Sequence, residues 1–271
     1  MSGEGHNRNL LQRIVSALVL APPVIAAAIW GGTLFDLLVF AFTAAALREW
    51  LRMTWPDPEL HYAIIAYVGL FFLLVATWSG GLWPALATFV ITGAGLYVLA
   101  RVGGAQNPRL STFGLAYVGA SLVSLAWLRG HDPHGWQDLL FVLPVVWAAD
   151  IGGYAVGRSL GGPKLWPRIS PKKTWAGVVG GFALALLVAF LWAEAFAAPV
   201  VATLAVAAFV AALALAGDLF ESAIKRRQGV KDSGGLIPGH GGVLDRIDAA
   251  LLAVPGFALL VALAGRLTAW H

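Results

Sequence analysis

Runs of mostly apolar residues, each close to the length of a bilayer crossing, recur nine times along this chain: 14–30, 34–47, 61–77, 82–99, 110–128, 139–156, 175–196, 200–216 and 249–267. A helix needs roughly 20 such residues to span the hydrocarbon core. The expected fold is therefore all-α, a polytopic integral membrane protein with about nine transmembrane helices. Composition closes off the alternatives. With 59% of its residues hydrophobic and 12% charged, the chain has too little polar surface for a water-soluble globule and far too little to stay disordered. Cysteine is absent, which excludes a disulfide framework, a thiolate metal site and a cysteine nucleophile together. The first run is preceded by Arg8 and Arg13 in the manner of a signal peptide, but no convincing small-residue cleavage site follows it before Arg48 and Glu49. It is expected to stay in place as a span.

Placing the N-terminus in the cytoplasm puts 16 of the 18 Lys and Arg residues on the cytoplasmic side, all but Arg129 and Arg266. The opposite orientation inverts that ratio, and basic connections favour the cytoplasm. An odd number of spans then leaves the C-terminal His271 outside. The net charge of +4 reports this orientation, and no nucleic-acid partner is expected from it. Two cytoplasmic segments, 157–174 and 217–248, hold most of the polar complexity. The chain reads as one continuous membrane domain, with N-terminal transmembrane helices over 1–138 and a C-terminal transmembrane region over 139–271 that holds the candidate chemistry. No inverted repeat or low-complexity stretch is visible.

Segment 217–248 interleaves Asp218, Glu221, Asp232, Asp245 and Asp248 with Lys225, Arg226, Arg227, Lys231 and Arg246. The eighth span is expected to continue as a helix to about Arg227, which sets Asp218, Glu221, Ser222 and Lys225 on one face. Asp245 and Asp248 stand three apart at the start of the ninth span, so two hard oxygen sites can face each other across a glycine-rich loop. Carboxylates without cysteine suit a hard cation such as Mg2+, which is readily shared with substrate phosphates. The basic group offers point charges and guanidinium forks to phosphate oxygens. In Gly239-His240-Gly241-Gly242 the glycines let backbone N–H groups approach an anion just before a helix N-terminus. A basic cluster after a span also serves as a topology anchor or an anionic-lipid contact, and composition alone divides evenly between the two. His240 could be a base, a metal ligand, an anion donor or a turn residue, and is given no role beyond the substrate site.

Asp150 lies inside the sixth span, where a charge is costly and marks a functional candidate, with a helix-packing hydrogen bond as the bland alternative. Ser170-Pro171-Lys172-Lys173-Thr174 is expected to start a helix with two ammonium groups, a conflict with the helix dipole that a bound phosphate would remove. Asp36, Glu194, His61, His131 and His134 fall near span ends and are expected to be interfacial. Arg48-Glu49-Trp50-Leu51-Arg52 is expected to be a cytoplasmic anchor, and the 12 tryptophans suit interface belts.

Ser222-Ala223-Ile224-Lys225-Arg226, Lys231-Asp232, Leu236-Ile237-Pro238-Gly239-His240-Gly241-Gly242 and Asp245-Arg246-Ile247-Asp248 together resemble the signature of the phosphatidate cytidylyltransferase (CDP-diglyceride synthase) family. The likeness is continuous from Ser222 to Asp248. Upstream, Ser170-Pro171-Lys172-Lys173-Thr174 and Gly180-Gly181 resemble a second stretch of the same family, whereas the N-terminal spans match only in hydropathy. One departure is Ala176, where the family commonly carries an acidic residue. The resemblance implies CTP + phosphatidate → CDP-diacylglycerol + pyrophosphate, at the cytoplasmic face of an inner (plasma) membrane and surrounded by its lipid bilayer, and it allows a homodimer. It further implies a cation centre on Asp218 and Asp245, of Mg2+ with room for a second ion such as K+. Asp248 and Asp150 then stand as supporting or alternative ligands, and Lys172, Lys173, Lys225 and Arg226 as phosphate contacts. Ser222, Lys231, Asp232, His240, Gly241, Gly242 and Arg246 complete the implied substrate site.

Two other readings use the same features. A CTP-dependent lipid-alcohol kinase would need the same metal and nucleotide pocket but would attack the γ-phosphorus. A transporter of a phosphorylated solute would place its binding groups at midplane in broken helices, with repeat symmetry. Most candidate groups here lie instead at the cytoplasmic ends of spans.

Overall fold

The computed structural model describes residues 22–55, 60–78, 82–130, 133–236 and 241–264. In chain order its elements are α1 (22–30), α2 (Gly32–Thr54), α3 (Leu60–Trp78), α4 (Leu82–Val102), α5 (Pro108–Gly130) and α6 (Gly135–Leu160). A short hairpin follows, β1 (Lys164–Trp166) and β2 (Ser170–Thr174), and then α7 (Trp175–Ala195), α8 (Val200–Arg227), α9 (Leu244–Ile247) and α10 (Ala250–Ala264). Apolar runs become helices because a backbone in lipid must satisfy its own hydrogen bonds. Among the described residues six helices, α3 to α8, have both the length and the apolarity to cross a membrane, against the nine expected. Helix α2 has 23 residues but carries Asp36, Arg48, Glu49 and Arg52. The described part of α10 has 15 residues, about 22 Å of helix against about 30 Å of hydrocarbon. The first expected span lies partly outside the described residues.

The interior is built where helices α2, α5, α6, α8 and α10 meet, around Trp50, Leu47, Phe141, Leu122 and Phe257, all less than 2% exposed. The outward faces stay apolar: α4 exposes Val90, Ile91 and Val98, which is the surface a lipid solvent calls for. Helices α6 and α7 approach most closely. Gly152 and Gly181 face backbone carbonyls across the crossing, those of Gly180 and Ala149, and a Cβ on Gly180 would strike Val156. Small residues let two backbones touch where no hydrophobic gain separates helix from lipid.

Three expectations need correcting. The fold is not wholly α: β1 and β2 pair antiparallel, Lys164 with Thr174 and Trp166 with Ser170. Residues 170–174 consequently do not start a helix. Helix α7 begins at Trp175, with Thr174 as its N-cap accepting a hydrogen bond from the Gly177 N–H at 3.1 Å. The strand resolves the dipole conflict by keeping both ammonium groups ahead of the cap, and it leaves Lys172 exposed and Lys173 half-buried. Finally, Asp245 and Asp248 do not open the last apolar helix: Asp245 sits in the separate single turn of α9 and Asp248 ends it.

Candidate active site

Helix α8 continues past its apolar part to Arg227, as its spacing predicts, and this extension carries the site. Lys173 of β2 reaches it and pairs with Asp218 at 2.6 Å, and the Ser222 hydroxyl donates to the same carboxylate at 3.3 Å. One turn further on, Lys225 is held between two carboxylates, Glu221 at 2.7 Å and Asp245 at 2.6 Å. Glu221 is fully buried and Lys225 is 8% exposed, so the ion pairing is what makes burial of either charge tolerable.

The other oxygen of Asp245 accepts from the Ser233 and Gly242 N–H groups, both at 2.9 Å. Burial alone would raise the Asp245 carboxyl, but the Lys225 ammonium and these two N–H donors outweigh it and hold the carboxyl below its ordinary 3.8. Beside it lies a residue that sequence reasoning assigned elsewhere. Glu49 of α2 is no surface anchor: it is 3% exposed, accepts from the Ser233 hydroxyl at 3.1 Å, and accepts from the N–H groups of Val243 and Leu244 at 3.1 and 2.8 Å. An ionisable residue within the apolar sequence Ala46-Leu47-Arg48-Glu49-Trp50-Leu51 is a signal in its own right, obscured here by the neighbouring Arg48 and Arg52. These bonds bear on the anion-binding expectation at Gly242 alone, since Gly239 and His240 lie outside the described residues. The N–H groups of Gly242, Val243 and Leu244 are spent on the protein's own carboxylates, Asp245 and Glu49, rather than offered to a phosphate.

Asp248 joins the cluster from below. Its backbone carbonyl crosses α8 at Gly217, where a Cβ would lie 2.6 Å away. Its carboxyl is raised well above 3.8, first by burial and then by the charges of Asp218, Glu221 and Asp150. Asp150, exposed on α6, lies within electrostatic reach of Asp218, Lys173 and Arg246. The remaining sequence candidates sit at the margin. Arg226 donates to the backbone carbonyls of Ile169 and Val230, tying the hairpin turn to the end of α8. Lys172, Lys231, Asp232 and Arg246 are exposed, Gly241 adopts φ +80°, and His240 lies outside the described residues.

Among the described residues no three histidine or acidic side chains converge tightly enough to hold a metal ion by themselves. The donor set nevertheless fits a hard cation. Asp150, Asp218, Glu221, Asp245 and Asp248 gather against Lys173 and Lys225, with Arg246 at the edge, leaving an excess of carboxylate oxygen.

The sequence profile of the cytidylyltransferase family matches residues 11–264. A phosphatidate cytidylyltransferase of Brucella suis is 38% identical over 251 residues, covering 90% of both chains. Proteins of the same name from Haemophilus influenzae and Bacillus subtilis are 34% and 32% identical, covering 92% and 94% of this chain and 97% and 98% of their own.

Proposed function

The chain belongs to the cytidylyltransferase family, and from that premise we propose that it transfers CMP from CTP to phosphatidate, giving CDP-diacylglycerol and pyrophosphate in phospholipid biosynthesis. The observation that carries the reading is the pairing of Lys173 with Asp218, and of Lys225 with Glu221 and Asp245, at one end of the apolar bundle. A lipid head group whose acyl chains stay in the bilayer and a nucleotide arriving from water can both reach such a place. We assign that end to the cytoplasm, with the membrane an inner (plasma) membrane, on the distribution of Lys and Arg.

In the reaction a phosphate oxygen of phosphatidate attacks the α-phosphorus of CTP and pyrophosphate departs. No covalent enzyme intermediate is needed, so catalysis is positioning and charge stabilisation. Asp218 and Asp245 would hold Mg2+, with Asp248 and Asp150 behind them, and a second cation such as K+ could share the carboxylates. The bound ion would supply charge neutralisation at the phosphates. Lys173, half-buried and paired with Asp218, and the exposed Lys172 would contact the phosphates.

The test is purified protein in detergent with phosphatidate, Mg2+ and α-labelled CTP, beside Asp218→Asn and Asp245→Asn. Label entering lipid, with pyrophosphate released and with both variants reduced at least 100-fold (an order-of-magnitude expectation for lost charge stabilisation), supports the proposal. Transfer of label from γ-labelled CTP to a lipid alcohol would instead favour a kinase.

A further inference from the structure

Glu49 comes from α2, yet its side chain ends among residues 184 to 195 positions away. Its two oxygens accept from one side of the glycine-rich connection through the Ser233 hydroxyl and from the other side through the Val243 and Leu244 N–H groups. Asp245 spans the same two sides, taking the Ser233 N–H and the Gly242 N–H. Ser233 is therefore bound twice, to Glu49 through its hydroxyl and to Asp245 through its backbone. The glycines match this arrangement: a Cβ at Gly242 would strike Glu49 Oε2 and the Ser233 hydroxyl, and one at Gly234 would strike Glu49 Oε1. Close backbone approach to the Glu49 carboxylate thus accounts for two glycines of the connection by itself. Glu49 is 3% exposed whereas the Asp245 side chain keeps 10% of its surface open, so Asp245 is the carboxylate that faces the site and any effect of Glu49 passes through it.

We propose that Glu49 is a positioning residue that clasps Ser233 to Val243 and Leu244 and so holds Asp245 in the site; this rests on the CMP-transfer reading above. Losing it leaves two backbone N–H groups and a hydroxyl without their acceptor, and Asp245 is then fixed by one clasp where it had two.

Hydrogen exchange and Mg2+ titration of full-length protein in detergent test this, comparing wild type with Glu49→Gln and Ser233→Ala. In Glu49→Gln one oxygen becomes an NH2 group facing donors. Amide exchange over 241–249 is expected to accelerate at least tenfold while 176–190, in α7, keeps its wild-type rate. The Mg2+ concentration for half-maximal CMP transfer is expected to rise at least tenfold. Half-saturation does not depend on how much enzyme is folded, so a residue that merely supports the fold would lower the rate at every Mg2+ concentration and leave the midpoint unmoved. Ser233→Ala removes one bond of three and should shift both readouts the same way by a smaller factor, which keeps the test decisive if Glu49→Gln does not fold. Unchanged exchange over 241–249 overturns the proposal, as does faster exchange with an unchanged Mg2+ midpoint. Wild type that transfers no CMP overturns the CMP-transfer reading, an outcome kept separate because the exchange measurement needs no turnover.

Discussion

Lys225 carries the charge balance of the site, sitting between the buried Glu221 and Asp245 at 2.7 and 2.6 Å. Removing one partner of such a group leaves buried charge unpaired, at a cost of about 3–5 kcal/mol. Lys225→Met should therefore lower the unfolding temperature in detergent sharply, and adding Glu221→Gln should recover part of the loss; no recovery would show that Glu221 is not its energetic partner. The two aspartates of α9 predict opposite responses to pH. Asp248, raised above 3.8 by burial and then by Asp218, Glu221 and Asp150, binds its proton more tightly folded than unfolded. Its contribution to stability is fully present below 3.8 and fades as pH rises through the raised folded value. Asp245, lowered by Lys225 and two N–H donors against the effect of burial, contributes above 3.8 and loses that contribution only as pH falls through its lower folded value. In EDTA, then, the unfolding temperature should decline as pH rises from about 4 towards neutral, and Asp248→Asn should flatten that slope. A slope identical in the variant would assign it to another group.

At the scale of elements, the crossing of α6 and α7 sets where β2, and with it Lys173, meets Asp218. Gly180 has Val156 and the Gly152 carbonyl within the space a Cβ would need, so Gly180→Leu should separate the helices, cost about 1–3 kcal/mol and reduce CMP transfer. Gly93→Leu in α4, where an added Cβ meets nothing within 4 Å, should change neither. Comparable losses in both variants would mean that bulk in any helix is damaging and that this crossing is not special. The extension of α8 was legible from the i, i+3 and i, i+4 spacing of Asp218, Glu221, Ser222 and Lys225. The hairpin was not, because Ser-Pro-Lys-Lys-Thr ahead of an apolar run has the composition of a helix start. Only pairing of Lys164 with Thr174 and Trp166 with Ser170 makes it a strand.

For the whole molecule, the end that holds Glu49, Lys173 and Asp245 is opposite the end where Arg129 donates to the Ala28 and Ile29 carbonyls. The chain has no cysteine, so Arg168→Cys in the hairpin turn and Thr33→Cys at the far end each give a single reporter. A membrane-impermeant maleimide should label Arg168→Cys in inside-out vesicles and Thr33→Cys in right-side-out ones; the reverse pattern would invert the orientation proposed for the site. The helical membrane class, the polar C-terminal segments and the family likeness could all be read from the chain alone, because lipid solubility and signature spacing are properties of contiguous residues. Which groups meet could not. From sequence Glu49 reads as part of a basic anchor, but the packing of α2 against α9 brings its carboxylate to the Val243 and Leu244 N–H groups. Hydrogen-bond donors are claimed by whichever acceptor the fold brings within about 3 Å, and an acceptor 184 to 195 positions away is chosen by helix packing, which local spacing does not encode.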